Sequence, residues 1–261
     1  MVCDFSRVAF YFFGLPIHWY SLAYIFGLLA ALYLTKKLSK KSGSEISEEH
    51  IELFLNYAII GIIIGGRLGH VLFYEFDIYA ANPIEIFKVW EGGMSFFGGF
   101  LGVAAAFYVF CKKYKINAWN FTDLWSVGAP IGLFFGRIAN FINAELLGKP
   151  SDQIPWNVIF VNDGIRRHPS QIYEAMTEGV LLFTVMLFSF HKGMYKIPKR
   201  LSGIFCTGYG CARFLCEFFR EPDSLFSYEL FFRTGLNLNQ YISLIMISSG
   251  LILIRKKDVG R

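Results

Sequence analysis

The chain has 261 residues, of which 54% are hydrophobic and only 17% charged, and its formal net charge is +5. A soluble domain carries roughly 25% charged residues, so a mean hydropathy of +0.43, with the apolar residues gathered in long blocks, points to lipid as the solvent. Five cysteines without a C-x-x-C pair give no zinc, redox or disulfide framework, and the lysines cluster at block ends, where anionic headgroups attract them, so no nucleic-acid partner is needed.

The first predicted span is Trp19–Thr35. It is not read as a signal peptide, because no basic region precedes it and no small-residue cleavage site follows before Lys36. The second is Ile51–Tyr74, where Gly61, Gly65 and Gly69 repeat every four residues, a spacing for close helix packing. The run from Gly92 to Gly99 holds four glycines in eight residues. It predicts backbone that approaches something closely, or a broken helix end beside a cavity. The third span is Met94–Cys111 and the fourth Leu124–Ile142.

Residues 144–171 form the longest connection, an outer-side segment whose Asp163-Gly164 and His168-Pro169 pairs predict turns or a short hairpin. Spans five, six and seven follow at Ile172–Phe190, Ile204–Phe219 and Leu238–Ile254, with an acidic and aromatic outer loop at Arg220–Gly235 that suits the membrane surface. Cys206, Cys211 and Cys216 read as small apolar residues of span six.

The blocks have about 16–24 residues, enough to cross a ~30 Å hydrocarbon layer as a helix once their ends are included. The expected fold is an all-α polytopic membrane protein with about seven transmembrane helices. We expect one transmembrane domain over residues 1–261, with residues 144–171 as its outer-side segment. Fifteen basic residues follow spans one, three, five and seven, and seven lie on the other side. The positive-inside rule then puts the N-terminus outside and the C-terminus in the cytoplasm.

Three arginines remain inside spans: Arg67, Arg137 and Arg213. An arginine at mid-membrane costs at least ~2.5 kcal/mol and cannot escape by losing its proton, so it must face a partner or a cavity. Arg137 and Asn140 are three apart on one face, with Asn143 and Glu145 just beyond. Tyr209, Arg213 and Glu217 form an i, i+4 stripe that Arg220 continues, and Arg67 with His70 makes a third polar pair. One reading is structural ion pairing: Arg213 with Glu217, Arg137 with Glu145, and Arg67 with a glutamate across helices. The other is a cavity toward the outer leaflet that holds an anionic lipid headgroup, since a guanidinium fork matches a phosphate.

The motifs resemble the prolipoprotein diacylglyceryl transferase family. They are His18-Trp19-Tyr20, the glycine-flanked Arg67 of Gly65–Gly69, Trp90–Phe96, the segment Gly136–Gly148, His168–Glu174 and Tyr209–Arg220, in order over nearly the whole chain. The resemblance implies transfer of a diacylglyceryl group from phosphatidylglycerol to the lipobox cysteine of prolipoprotein signal peptides, in the bacterial cell (inner) membrane. It implies no cofactor and no metal. Arg137, with Asn140, Asn143, Glu145 and Gly148, matches the headgroup-binding set. Arg213, with Tyr20, Tyr209, Glu217 and Asn140, matches the catalytic set. Arg67 and His70 line a further polar cavity.

One position departs from the family pattern. The residue after Gly-Gly-Met-Ser-Phe, a histidine in many members, is Phe97 here, which cannot take a proton. Glu145, Glu217 and His168 remain as alternative bases, and electrostatic activation of the thiol by Arg213 needs none. The competing classes are a lipid-binding transporter or scramblase, for which inverted repeats are missing; an intramembrane hydrolase, for which Ser95 and Ser126 lack a partner base; and an inactive homologue.

Overall fold

Each of the seven apolar blocks is a helix. The structure, a computed structural model, describes residues 2–161, 163–222 and 225–255. Lys256, Lys257 and Arg261, which enter the charge count, lie outside the described residues. The helices are α1 (Trp19–Ser42), α2 (Glu48–Phe73), the short α3 (Phe76–Ala81), α4 (Phe96–Tyr114), α5 (Ala118–Ile142), α6 (Ser170–His191), α7 (Arg200–Cys216), α8 (Leu225–Thr234) and α9 (Leu238–Arg255).

Among the described residues α1, α2, α6 and α9 are each long and apolar enough to cross a membrane. Helix α2 exposes Ile59, Ile60, Ile62, Ile63 and Ile64, a face suited to lipid. The chain is an all-α polytopic membrane protein. Its helices outrun the predicted blocks at their polar ends: α1 continues through Lys36–Ser42 and α5 begins at Ala118. Hydropathy marks only the apolar stretch, whereas the hydrogen-bond ladder runs on. There Lys36 pairs with Glu52 and Lys40 with Glu48.

The chain falls into two compact units, residues 36–121 and residues 1–35 with 122–261. In the first, α2 lies along α4 and its glycine repeat is the reason. A Cβ on Gly65 would fall 2.7 Å from the Cα of Gly102, and one on Gly69 2.7 Å from that of Gly98. Backbones this close tolerate no side chain, as the four-residue spacing predicts. Ser47 starts α2 by accepting from the His50 amide at 3.1 Å while its own amide donates to His50 Nδ1 at 3.4 Å, a reciprocal cap. Phe54, Phe110 and Phe121 fill the far end with rings 5.0–5.5 Å apart.

In the second unit α7 lies along α9. Gly210 faces the Ser243 carbonyl oxygen, which a Cβ would meet at 2.9 Å. Buried Asp123 of α5 pins the start of α7: its Oδ1 accepts from the Ser202 amide at 2.7 Å and hydroxyl at 2.6 Å. Two close approaches bring further helices onto α5. A Cβ on Gly27 of α1 would lie 3.1 Å from the Gly132 Cα, and one on Gly179 of α6 3.0 Å from the Phe134 Cα.

The segment 144–171 folds as a small sheet. Strand β4 (Val158–Phe160) pairs antiparallel with β5 (Arg166–Arg167), the hairpin that the turn residues predict, and parallel with β1 (Val2–Cys3). Cys3, Val158 and Phe160 form its buried core against Phe141 and Leu147. The β1 pairing joins residues far apart in sequence and has no local signal. A separate hairpin, β2 (Val8–Phe12) with β3 (Leu15–His18), leads into α1.

Candidate active site

The arginines of α5 and α7 meet two glutamates of α6. Phe134 and Arg137 are three apart, so they share one face of α5. Gly179 packs on Phe134, and this sets its neighbour Glu178 opposite Arg137. Glu178 Oε2 accepts from Arg137 Nε at 3.1 Å and Nη2 at 3.0 Å. Glu174 Oε2 lies 3.1 Å from Arg137 Nη1, and Glu174 Oε1 accepts from Arg213 Nη1. Arg213 also faces Glu178 Oε1 at 3.7 Å and Glu217 Oε2 at 2.8 Å. Arg220 Nη1 lies 3.6 Å from Glu174.

Three guanidiniums therefore balance three carboxylates, and the side chains of Glu174, Glu178 and Glu217 have no exposed surface. In a low-dielectric bundle each charge depends on its partners, because an uncompensated buried ion costs several kcal/mol. Arg137 retains 13% side-chain exposure against 9% for Arg213 and 3% for Arg220. It is the guanidinium of the three best placed to meet a ligand.

The expected Arg213–Glu217 pair is present. Arg137 pairs with α6 instead of Glu145, because α5 ends at Ile142 and the chain then turns through Ala144 at φ 54°. Glu145 receives the amide groups of Asn140 and Asn143, each at 3.3 Å, and its backbone carbonyl accepts from Gln171 Nε2 at 2.6 Å. Tyr20 bonds Tyr24 hydroxyl to hydroxyl at 3.0 Å and lies within electrostatic range of Glu145 and Arg137. Tyr209 sits beside the Arg137–Arg213 cluster.

Gly148 occupies a backbone junction. It bridges to Arg220, its carbonyl accepts from Arg167 Nη1 at 2.9 Å, and a Cβ there would collide with the His168 carbonyl oxygen. Arg167, held by Asp163 at 2.5 Å and Glu221 at 2.6 Å, keeps its proton more firmly than usual through those two carboxylates, against the opposing effect of burial.

His168 packs on Phe219 and Tyr173. Burial first, then Lys149, holds its imidazole below the ordinary value of 6.5. The neutral form is the one the fold favours. This contribution is therefore complete above that value and is lost as pH falls below it. His168→Gln is expected to flatten that acid-side decline of the thermal midpoint, as read by melting curves between pH 5 and pH 8.

Arg67 and His70 belong to the other unit. Arg67 binds backbone instead of a glutamate side chain: Nε to the Ile86 carbonyl at 2.9 Å, Nη1 to Gly92 at 2.6 Å and Gly93 at 3.3 Å, and Nη2 to Glu85 at 2.5 Å. Its guanidinium lies over the Tyr79 ring, 4.9 Å from the centroid. Two of these carbonyls come from the 3-10 turn Pro83–Phe87 and two from Gly92 and Gly93, which adopt φ of 91° and 74°, the close backbone approach that the glycine run predicts. His70 bonds Glu75 at 3.1 Å. Both line a cavity of about 480 Å³.

Comparison with known proteins then fixes the family. The profile of the family described as prolipoprotein diacylglyceryl transferase matches residues 7–255. The chain belongs to this family. Relatives named phosphatidylglycerol–prolipoprotein diacylglyceryl transferase include that of Gluconobacter oxydans, 44% identical over 96% of this chain and 92% of its own length. That of Cereibacter sphaeroides is 45% identical over 91% and 89%. That of Rickettsia conorii is 46% identical over 92% of both chains.

Within this transferase, the residues that sequence reasoning placed least well are Glu174 and Glu178. Neither has a site role in the sequence reading, although they sit four apart in an apolar block as Tyr209, Arg213 and Glu217 do. Tyr24 was missed, although it too lies four residues after Tyr20. Phe97, at the position of the family histidine, is on α4 and 67% exposed.

Proposed function

We propose that this chain transfers the diacylglyceryl group of phosphatidylglycerol to the thiol of the lipobox cysteine in prolipoprotein signal peptides. The products are a thioether-linked precursor and glycerol phosphate, and the reaction opens lipoprotein maturation. We further propose that it works in the bacterial inner membrane with its N-terminus outside and its C-terminus in the cytoplasm. The observation that carries the reading is the buried pairing of Arg137 and Arg213 through Glu174 and Glu178, in a chain whose relatives bear that activity in their name.

The sulfur attacks glycerol C3 as the bond from C3 to the phosphate oxygen breaks. The electron pair leaves on that oxygen as glycerol phosphate, and the thiol proton passes to water. Negative charge gathers on the leaving phosphate, so fixed cations aimed at it supply the largest stabilisation. Arg137, the most exposed of the three guanidiniums, holds the headgroup with Asn140, Asn143 and Glu145 around it. Arg213 stabilises the leaving phosphate and the incoming thiolate with Tyr209 beside it, and Tyr20 lies on the Arg137 and Glu145 side. Both arginines are already held by carboxylates and reorganise little during the reaction. Gly148 keeps the outer segment closed over this end of α5.

The thiol needs no histidine. A free thiol has a pKa near ~8.5, so thiolate exists at neutral pH, and neighbouring guanidiniums raise its share. Phe97→His is therefore expected to leave the transfer rate within about threefold and the pH profile unshifted. A large gain with a new acid limb would show that a base at this position had been limiting. The function itself is tested by expression in cells depleted of their own transferase. Rescue with diacylated lipoprotein supports it, and accumulation of unmodified prolipoprotein with the protein present in the membrane refutes it.

A further inference from the structure

We propose that Glu178 is a positioning residue for transfer: it aims the Arg137 fork and couples it to Arg213. The proposal rests on the reading of Arg137 and Arg213 given above. Glu178 is fully buried and lies on the widened turn Ala175–Leu181 of α6, where the backbone is π-helical. Such one-residue expansions interrupt a regular helix and concentrate at functional sites. Here the widened turn carries Gly179, which brings the α6 backbone against Phe134 of α5. A regular side chain at 179 would hold the helices apart and take Glu178 out of reach of Arg137.

The two oxygens of Glu178 do different work. Oε2 takes both Nε and Nη2 of Arg137, at 3.1 and 3.0 Å, and so fixes the plane of that guanidinium. Oε1 faces Arg213 Nη1 at 3.7 Å and has no hydrogen-bond partner among the described residues. Glu174 spans the same two arginines and approaches a third, Arg220, so it neutralises the cluster as a whole. Without Glu178, Arg137 would keep a single carboxylate contact at Nη1 and its Nε edge would be free to turn. The residue touches no substrate and acts through Arg137.

Size and charge separate this role from packing. Glu178→Gln keeps the volume and removes the charge; Glu178→Asp keeps the charge and leaves a gap. Loss of a charge-assisted bond predicts about a 10- to 100-fold fall in transfer for Glu178→Gln, with Glu178→Asp retaining more activity than Glu178→Gln. A packing role predicts the reverse order, because volume-conserving exchanges are tolerated best.

The experiment measures phosphatidylglycerol-dependent transfer to a lipobox peptide by purified full-length wild type, Glu178→Gln, Glu178→Asp, Arg137→Lys and the Arg137→Lys/Glu178→Gln double variant, together with thermal midpoints. Support requires the order Asp above Gln at matched midpoints, and little further loss when Glu178→Gln is added to Arg137→Lys. Activities that follow the midpoints, Gln equal to or above Asp, or fully additive losses would overturn the proposal. An inactive wild type would instead overturn the functional reading on which it rests.

Discussion

Arg137→Lys is expected to lower transfer by about 10²- to 10³-fold while the protein still inserts and folds. Lysine keeps the positive charge, so Glu174 and Glu178 are not left uncompensated, and the large penalty of a lone buried carboxylate does not arise. What disappears is the fork. Arg137 meets Glu178 through Nε and Nη2 and Glu174 through Nη1, and it keeps donors for a phosphate. One ammonium has three donors and no plane. It can satisfy the two carboxylates or hold a headgroup, but not with a fixed aim. The check is the initial rate of transfer beside the detergent-solubilised thermal midpoint. A normal rate would remove Arg137 from the site, and a collapsed midpoint would mark it as structural.

Gly102→Val is expected to yield little or no folded protein. A Cβ at 102 would run into the Gly61 carbonyl, with the Gly65 Cα 2.9 Å away, and both obstacles are backbone that cannot rotate aside. Overpacking in a well-packed interior costs about 1–3 kcal/mol where side chains can yield, and two backbone collisions in α2 exceed that. Gly132→Val is the contrasting case, because nothing lies within 4 Å of a Cβ there. Folded yield by size-exclusion chromatography should fall sharply for Gly102→Val and much less for Gly132→Val. Equal yields would mean that α2 and α4 do not approach at these glycines.

Much of this was legible in residue order because membrane physics is local. A span must be apolar for its length, a glycine every four residues marks a close crossing, and an in-span arginine demands a partner. Gly61, Gly65 and Gly69 mark a close crossing of α2 on those grounds, without naming α4 as the partner. The partners themselves were less legible. The ion-pair reading gives Arg137 its sequence neighbour Glu145, whereas the carboxylates that hold it lie on α6, where Gly179 packs on Phe134. The same reading gives Arg67 a glutamate side chain, whereas it binds four backbone carbonyls, of which only those of Gly92 and Gly93 have a sequence signature. Strand β1 was invisible because its partner β4 lies more than 150 residues away. Two glutamates four apart inside an apolar block were a readable signal, since each carries the same burial cost that made the arginines conspicuous.

In the proposed function this arginine–glutamate cluster moves a diacylglyceryl group from a phosphatidylglycerol headgroup to a thiol. The direct measurement uses the purified protein in phosphatidylglycerol vesicles with a lipobox peptide carrying either cysteine or serine, and follows glycerol phosphate release and peptide mass together. With cysteine, one glycerol phosphate should appear per thioether-linked peptide, and with serine neither product should form. Glycerol phosphate released at the same rate from both peptides, or from neither, would contradict the account.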